Sequence, residues 1–230
     1  MISGPNSGYS GWAYIIHPSY AVDPHHYVRA YLSIQAELER LFDYIEPSDE
    51  CATAYSYKIH ALLVRACIEV EANFKAILLA NKYSHSRNLN MKHYGRVDKT
   101  HHLSSYEVRL PIWNPSTKIF FPFGVWRSER DNEAPNRPVL PWYKAYNDSK
   151  HDRHEKFKKA NLENLVDAVA GLLVLITAQF GSQSFDAGKV LLATSGYSYH
   201  DMEPSTGGLF RISGPQDWME KEKYDFDWSV

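Results

Sequence analysis

The feature that most restricts the fold of this chain is an apolar helix pattern in its last third. Between Ala160 and Phe180 large aliphatic side chains recur every three or four residues, which places them on one broad face of an α-helix. The most apolar part of this pattern starts at Leu165, contains Asp167 and Gln179, and is shorter than the ~20 residues that a membrane span needs. The apolar positions are Leu162, Leu165, Val166, Val169, Leu172, Leu173, Ile176 and Phe180. We therefore expect a core helix that packs against other helices, and no membrane contact.

Two more helices are predicted earlier in the chain. Asp23-Pro24 supplies an N-cap and a proline at the first helical position, and the apolar pattern that follows stops at Pro47. A second, longer helix is predicted from Asp49 to about Lys82, with Ser48 as its cap. Their apolar positions are Tyr27, Tyr31, Ile34, Leu38, Leu41 and Ile45 in the first, and Leu62, Leu63, Ala66, Val70, Phe74, Ile77 and Leu78 in the second. A further helical stretch opens at Pro141, so the predicted fold class is mainly α, an antiparallel helical bundle.

A β-hairpin is predicted between the second and third helical segments. Apolar and polar residues alternate from Tyr106 to Trp113, Asn114-Pro115-Ser116-Thr117 has the composition of a turn, and Lys118 to Trp126 forms a second, aromatic-rich strand. A proline cannot donate a hydrogen bond to a strand ladder. Pro111 and Pro122 therefore predict that both strands lie at the edge of a sheet.

All 230 residues are predicted to form a single domain. Residues 1–22, rich in Gly, Ser, Pro and Tyr, form an N-terminal arm, and residues 84–138 form an inserted loop and hairpin. The first part of this insert, up to His102, is polar without a period and is predicted to be loop. Residues 182–230 form a tail that packs on the core and contains a short strand from Leu209 to Ile212.

Charge, cysteine content and the N-terminal sequence narrow the class of protein. The formal net charge of −2 excludes a polybasic nucleic-acid binder of the histone type but allows a local basic patch. The N-terminus lacks a basic segment followed by an apolar run, so we expect no signal peptide and a cytoplasmic protein. Cys51 and Cys67 would lie about 24 Å apart on the predicted second helix, which is too far for a disulfide.

A polar interruption, Tyr146 to His154, directly precedes the most apolar helix. Between Lys144 and Lys159 there are six Lys or Arg side chains and three Asp or Glu side chains. Positive charge is thus concentrated here in a chain of slightly negative net charge. A surface that contacts phosphate groups requires such a concentration.

This segment and an earlier one resemble prokaryotic proteins of the HEPN superfamily. The residues that carry the resemblance are Tyr146-Asn147-Asp148-Ser149-Lys150-His151-Asp152-Arg153, the following Ala160-Asn161-Leu162-Glu163-Asn164-Leu165-Val166, and Val64-Arg65-Ala66-Cys67-Ile68-Glu69-Val70-Glu71 in the preceding helix. The hairpin and the tail lie outside the resemblance. It implies an antiparallel helical bundle, dimerisation that brings two motifs together and, in active members, metal-independent RNA cleavage, with roles in toxin–antitoxin and phage-defence systems.

The resemblance also assigns roles within the motif. Tyr146 stands where the family has an Arg, Asn147 stands at the polar position that follows it, and His151 stands at the family His. Cutting RNA without a metal needs a base of near-neutral pKa and cationic donors around the phosphate. We therefore expect RNA or a nucleotide as ligand, a homodimer, and no cofactor or metal. The candidate catalytic residues are His151, Asn147 and Lys150, and the candidate binding residues in the motif are Tyr146, Arg153 and His154.

A polar stripe on the second predicted helix offers further candidates. Arg65, Glu69 and Asn73 lie four residues apart and share one face of the helix. This stripe is either solvated, with an Arg–Glu pair, or turned toward the site. In the second case Arg65 and Glu69 are binding residues, and Arg65 adds positive charge near the phosphate.

Two other functions remain open. A non-catalytic relative would bind RNA, a nucleotide or a protein partner. A metal-dependent phosphohydrolase could use the doublet His151-Asp152 together with His60 and Asp167.

The histidine-rich part of the insert offers two further alternatives. One is a zinc site, although its spacing matches no standard pattern. The other is a second copy of the Arg-to-His spacing. The zinc site would use His93, Asp98, His101 and His102, and the spacing runs from Arg87-Asn88 to His93 and from Arg96 to His101 or His102.

Overall fold

A computed structural model of the chain describes residues 24–80, 83, 89–130, 137–180, 203–204 and 208–217. The predicted fold class is confirmed, because the described residues form a mainly helical bundle with a small antiparallel sheet. The predicted N-terminal arm and most of the predicted tail lie outside the described residues.

The described elements are seven α-helices, four 3₁₀ turns and four strands. The helices are α1 (Pro24–Phe42), α2 (Tyr57–Ala80), α3 (Met91–Tyr94), α4 (Asp98–His101), α5 (Pro141–His151), α6 (Arg153–Lys156) and α7 (Leu162–Phe180). The 3₁₀ turns are Gly95–Val97, Leu103–Ser105, Gly124–Glu129 and Phe157–Lys159, and the strands are β1 (Glu107–Leu110), β2 (Lys118–Phe120), β3 (Glu203–Pro204) and β4 (Arg211–Ser213).

Helix α7 is the centre of the core, as its pattern predicts. It packs against α1, α2 and α5, and from Ala168 to Gln179 every side chain is buried. By length and composition the segment Leu162–Gln179 could cross a membrane, but 78% of it is buried inside the protein. That degree of burial is typical of the core helix of a soluble protein.

Helix α2 begins at Tyr57, so the predicted start at Asp49 was wrong. Residues before the helix use their backbone groups for contacts with distant parts of the chain. The carbonyl oxygen of Ala54 accepts a hydrogen bond from the amide of Leu162 at 2.8 Å, and the amide of Asp49 donates to the hairpin turn. The cap of α2 is Ser56, whose Oγ accepts from the amide of Ile59 at 3.2 Å.

The two cysteines are both free thiols. Cys67 is fully buried in α2, whereas Cys51 lies in the turns before the helix and is half-buried. The predicted separation of the two residues along one helix was therefore wrong, because only Cys67 belongs to it.

The hairpin is part of a four-stranded antiparallel sheet with the order β2-β1-β4-β3. The predicted tail strand is present as β4, and it pairs with β1 so that Val108 lies opposite Ile212. As a result β1 is a central strand, and its predicted edge position was wrong. Strand β2 ends at Phe120 rather than at Trp126, whose indole Nε1 instead donates to the carbonyl of Pro138 at 2.9 Å.

The segment before the hairpin is helical where loop was predicted. Asn90 caps α3 through a capping box, in which its side chain accepts from the amide of Lys92 and its own amide donates to His93. Tyr94 stacks on Phe74 of α2 with ring centroids 5.0 Å apart. Side-chain capping and contact with α2 therefore stabilise short helices that have no apolar period of their own.

Candidate functional site

Helix α5 carries the first part of the polar motif and lies against α2 in the opposite direction. Near its start, Tyr143 Oη donates a hydrogen bond to Glu71 Oε1 at 2.9 Å. Near its end, the backbone of Ser149 lies beside His60. Tyr143 thus lies near the middle of α2 and Ser149 near its first turn, which fixes the register of the two helices. The motif is at the end of the bundle where α2 begins.

Tyr146 is a buried residue that holds a lysine in place. Its side chain is 2% exposed, and its Oη accepts a hydrogen bond from Lys150 Nζ at 3.0 Å. The same ammonium group lies 5.0 Å from the centroid of the Tyr146 ring. The residue at the family's Arg position therefore does not reach solvent, and Lys150 is the cation held against it.

Asn147 and His151 lie one helical turn apart on α5 and share one face of it. Asn147 is half-buried and His151 is exposed. Within the described part of the chain, neither side chain forms a hydrogen bond. Both side chains are therefore free to interact with a ligand, next to the exposed Lys150.

Two aspartates neutralise part of the basic segment. Asp148 accepts hydrogen bonds from Lys144 at 2.8 Å and Lys159 at 2.6 Å, and these bonds lower the pKa of its carboxyl group to about 2. Lys156 lies 3.4 Å from Asp152. The unpaired positive charge of the segment is consequently carried by Lys150, Arg153 and Lys158 among the described residues.

Arg153 lies on a cluster of aromatic side chains, which we call the aromatic platform and which consists of the exposed Tyr55 and Tyr57 and the half-buried Phe157. The Arg153 guanidinium carbon is 4.9 Å from the centroid of the Tyr57 ring and 5.7 Å from that of Phe157. The Phe157 centroid is 4.9 Å from Tyr57 and 5.9 Å from Tyr55. Although each contacts Phe157, Tyr55 and Tyr57 remain more than half exposed.

The chain forms the platform by joining two segments that are distant in sequence. Tyr55 lies in the turn before α2 and forms an isolated antiparallel bridge with Asn161. This bridge brings the start of α2 next to the 3₁₀ turn that contains Phe157. Sequence reasoning missed the platform, because Tyr55 and Tyr57 fall in a stretch that was predicted to be helix interior.

A half-buried histidine contacts the platform, and an exposed histidine follows Arg153 in sequence. The His60 ring is 5.4 Å from that of Phe157. Burial, followed by the positive charge of Arg153, lowers the pKa of His60, and its Nε2 has no hydrogen-bond partner in the described part of the chain. His154 is 96% exposed, and its Nε2 lies 3.8 Å from Glu155. The surface therefore combines imidazoles of different exposure.

Arg65 and Glu69 lie away from this surface. Arg65 donates hydrogen bonds to Glu37 Oε1 at 2.5 Å and to Ser33 Oγ at 2.8 Å, both on α1. At about 100° per residue, Arg65 is more than 100° around α2 from both His60 and Glu71, the α2 residues that lie next to α5. Arg65 pairs with α1 rather than with Glu69 or a ligand near His151.

The rest of the predicted polar stripe is structural. Asn73 is fully buried, donates to the backbone carbonyl of Glu69 at 2.8 Å and accepts from Gln179 Nε2 at 2.8 Å. This hydrogen bond links α2 to the end of α7.

The residues of the metal alternatives are not gathered into a cluster. Among the described residues, no group of three or more His, Cys, Asp or Glu side chains is placed to hold a metal ion. Asp98 pairs with Arg137 at 3.2 Å, and its Oδ1 accepts from the amide of Ser104. His101 and His102 are buried.

No family model, curated protein or solved structure matches the chain. The function is therefore inferred from the geometry of this surface together with the resemblance of its motif.

Proposed function

We propose that the chain is a HEPN-like RNA-associated protein that cuts single-stranded RNA without a metal. The observation that carries the proposal is the exposed His151. It lies in the C-terminal part of α5 with Asn147 and Lys150, in a locally basic segment. The chemistry of RNA requires few groups beyond these, because its own 2′-hydroxyl can attack the adjacent phosphate.

In the proposed reaction His151 removes the proton of the ribose 2′-hydroxyl as general base. The 2′-oxygen then bonds to phosphorus, the bond to the 5′-oxygen of the next nucleotide breaks, and that oxygen takes up a proton from water, while His151 returns its own proton to the solvent. Lys150 and the Asn147 amide donate hydrogen bonds to the phosphate oxygens, where negative charge accumulates. The products are a 2′,3′-cyclic phosphate and a 5′-hydroxyl end.

The burial of Tyr146 favours a second candidate, a relative that binds RNA without cutting it. A phenol cannot neutralise the pentacoordinate phosphate as a guanidinium does, and Tyr146 does not reach the surface. In this case the site keeps its location and its charge, but His151 has no chemical role.

Incubating the full chain with single-stranded RNA and with DNA of the same sequence, in EDTA, distinguishes the two candidates. We expect RNA to be cut and DNA to remain intact, and we expect His151→Ala to reduce the cutting rate roughly 100-fold or more. His26→Ala, which removes an exposed histidine on α1, serves as the matched control. Binding without cutting would favour the second candidate, and equal cutting by wild type and His151→Ala would remove His151 as the base.

A further inference from the structure

We propose that the aromatic platform with Arg153 is a binding site for an unpaired nucleobase of single-stranded RNA. The inference deepens the proposed function and rests on it, because it assigns the bases of the same RNA whose phosphate lies near His151. It adds residues outside the family resemblance, namely Tyr55, Tyr57 and Phe157.

The position of the Arg153 guanidinium on the Tyr57 ring favours a base-binding site. A guanidinium 4.9 Å from the Tyr57 centroid is close to the ring, and Arg153 is itself exposed. The Tyr57 side chain is 71% exposed, so much of the ring surface that Arg153 leaves uncovered contacts water. An exposed aromatic ring beside a guanidinium group is the kind of planar surface on which a nucleobase stacks.

The platform exposes aromatic rings to solvent next to lysine side chains. Tyr57 and Tyr55 are 71% and 54% exposed, which leaves aromatic area in contact with water that a stacked base would cover. Lys58 and Lys158 lie next to platform residues in sequence, are exposed, and have no ion pair in the described part of the chain. The acidic side chains near Arg153 and Phe157 in sequence have basic neighbours, since Asp152 lies 3.4 Å from Lys156 and Glu155 lies 3.8 Å from His154. The local charge therefore matches a polyanion that carries aromatic groups better than it matches an acidic surface.

Arg153, which lies on the platform, follows His151 closely in the chain, across a break between two helices. The helix breaks at Asp152, which has φ −130° and ψ 63°, and the chain restarts as α6 with Arg153 on the platform. Arg153 is thus two residues from His151 but belongs to a different helix. One RNA strand can place a phosphate at the end of α5 and a neighbouring base on the platform.

Fluorescence anisotropy with the full chain tests the inference. The probes are a labelled 2′-O-methyl oligoadenylate, which cannot be cut because its 2′-hydroxyl is blocked, and an abasic strand of equal length. We expect Tyr57→Ala to weaken binding of the oligoadenylate roughly 10-fold or more and to leave binding of the abasic strand unchanged. Arg153→Lys, which keeps the charge but loses the planar group, should also weaken binding of the oligoadenylate.

Tyr44→Ala is the matched control. Tyr44 is 87% exposed and lies at the start of the connection between α1 and α2, whereas Tyr55 lies at its end. This variant should bind both probes as wild type does. Circular dichroism of Tyr57→Ala should match that of wild type, since an exposed side chain contributes little to the core.

Quenching of tyrosine fluorescence by adenosine separates failure of the inference from failure of the proposed function. If adenosine quenches wild type but not Tyr57→Ala while no RNA is bound or cut, the base site stands and the RNA function falls. If RNA is bound and Tyr57→Ala binds it as wild type does, the inference is overturned and the proposed function stands. A wild type that binds neither probe nor adenosine overturns the inference.

Discussion

At the residue scale, Asp167 on α7 has a carboxyl group in an unfavourable environment. Its Oδ1 is enclosed and has no hydrogen-bond partner among the described residues. Burial, with a smaller contribution from the negative charge of Glu163, raises its pKa from 3.8 to about 7, and Lys118 opposes this shift. The folded protein therefore holds a proton on Asp167 that the unfolded chain releases at neutral pH.

The stability of the protein should depend on pH through this residue. The contribution of Asp167 is fully present below pH 4, where both states are protonated, and is lost as the pH rises through about 7. The difference between the two pKa values is equivalent to roughly 4 kcal/mol between acid and alkaline pH. Asp167→Asn, which cannot ionise, should therefore unfold at a higher temperature than wild type at pH 8.5.

Thermal unfolding followed at pH 5 and pH 8.5 provides the measurement. At pH 5 the difference between the two proteins should be less than half of that at pH 8.5, because Asp167 is then still protonated in the folded state and only the unfolded chain has released its proton. The same difference at both pH values would show that Asp167 does not titrate between them.

The motif illustrates what single residues in the sequence could and could not reveal. The run from Tyr146 to Arg153 was identified from its charge and its resemblance, and His151 is exposed there. The partners of the candidate side chains were not predictable. Tyr57, which Arg153 contacts, lies about 100 positions earlier in the chain, and Glu37, which pairs with Arg65 of α2, lies on α1. Such contacts depend on the register of packed helices, which periodicity does not specify.

At the element scale, Asp217 attaches the tail to the insert. Its Oδ2 accepts hydrogen bonds from Arg130 at 2.5 Å and from Ser105 at 2.7 Å, and its Oδ1 lies 3.2 Å from His102 Nδ1. Burial alone would raise the pKa of this carboxyl group, but these hydrogen bonds outweigh burial and hold it well below its usual value. Strand β4 ends four residues before this cluster, so the cluster fixes the end of the strand that pairs with β1.

Loss of this charge should weaken the attachment of β4. We expect Asp217→Asn to destabilise the protein by roughly 2 kcal/mol near pH 7, because it removes the carboxylate that pairs with Arg130. The amide of Ile212 should also exchange its hydrogen faster. Since the pKa is lowered in the folded state, the stabilisation is present above pH 4 and declines on acidification, so the difference between wild type and variant should shrink there.

Hydrogen exchange and thermal unfolding measure both effects, with Gln216→Ala as the control. Gln216 is exposed and adjacent to Asp217, so its replacement should change neither quantity. An Asp217→Asn variant as stable and as slowly exchanging as wild type would contradict the attachment.

The elements themselves were predictable to different degrees. The apolar periods located α1, α2 and α7, and alternation located the hairpin. The start of α2 was missed because Ala54 and its neighbours bond to α7, and the short helices α3 and α4 were missed because capping by residues such as Asn90 stabilises them. Local patterns therefore identify elements with an apolar face, whereas elements that depend on non-local hydrogen bonds require the fold.

At the scale of the whole molecule, the helices enclose the core, and the sheet joins two strands that lie between α2 and α5 in sequence to two strands that follow α7. Helix α5 runs antiparallel to α2, as expected of a bundle. Helices α2 and α7 run in the same direction, since Ala54 contacts Leu162 at one end and Asn73 contacts Gln179 at the other. The arrangement brings the starts of α2 and α7 to the same end as the last turn of α5, which is why the platform and His151 share a surface.

The last prediction concerns assembly of two chains. The family resemblance implies a homodimer in which the segments around Asn147 to Arg153 line a shared groove, and the hairpin offers a surface that could extend the interface. Strand β2 is an edge strand of the described sheet, and Ile119 and Phe121 on or beside it are 42% and 50% exposed. An exposed edge with apolar side chains favours pairing with a second copy. Light scattering at micromolar concentration should therefore give about twice the chain mass of 26.5 kDa, and Ile119→Lys, which places a charge on the edge, should shift the protein toward monomer. A wild-type chain that is strictly monomeric would contradict the dimer and weaken the proposed function, because the shared groove requires two motifs.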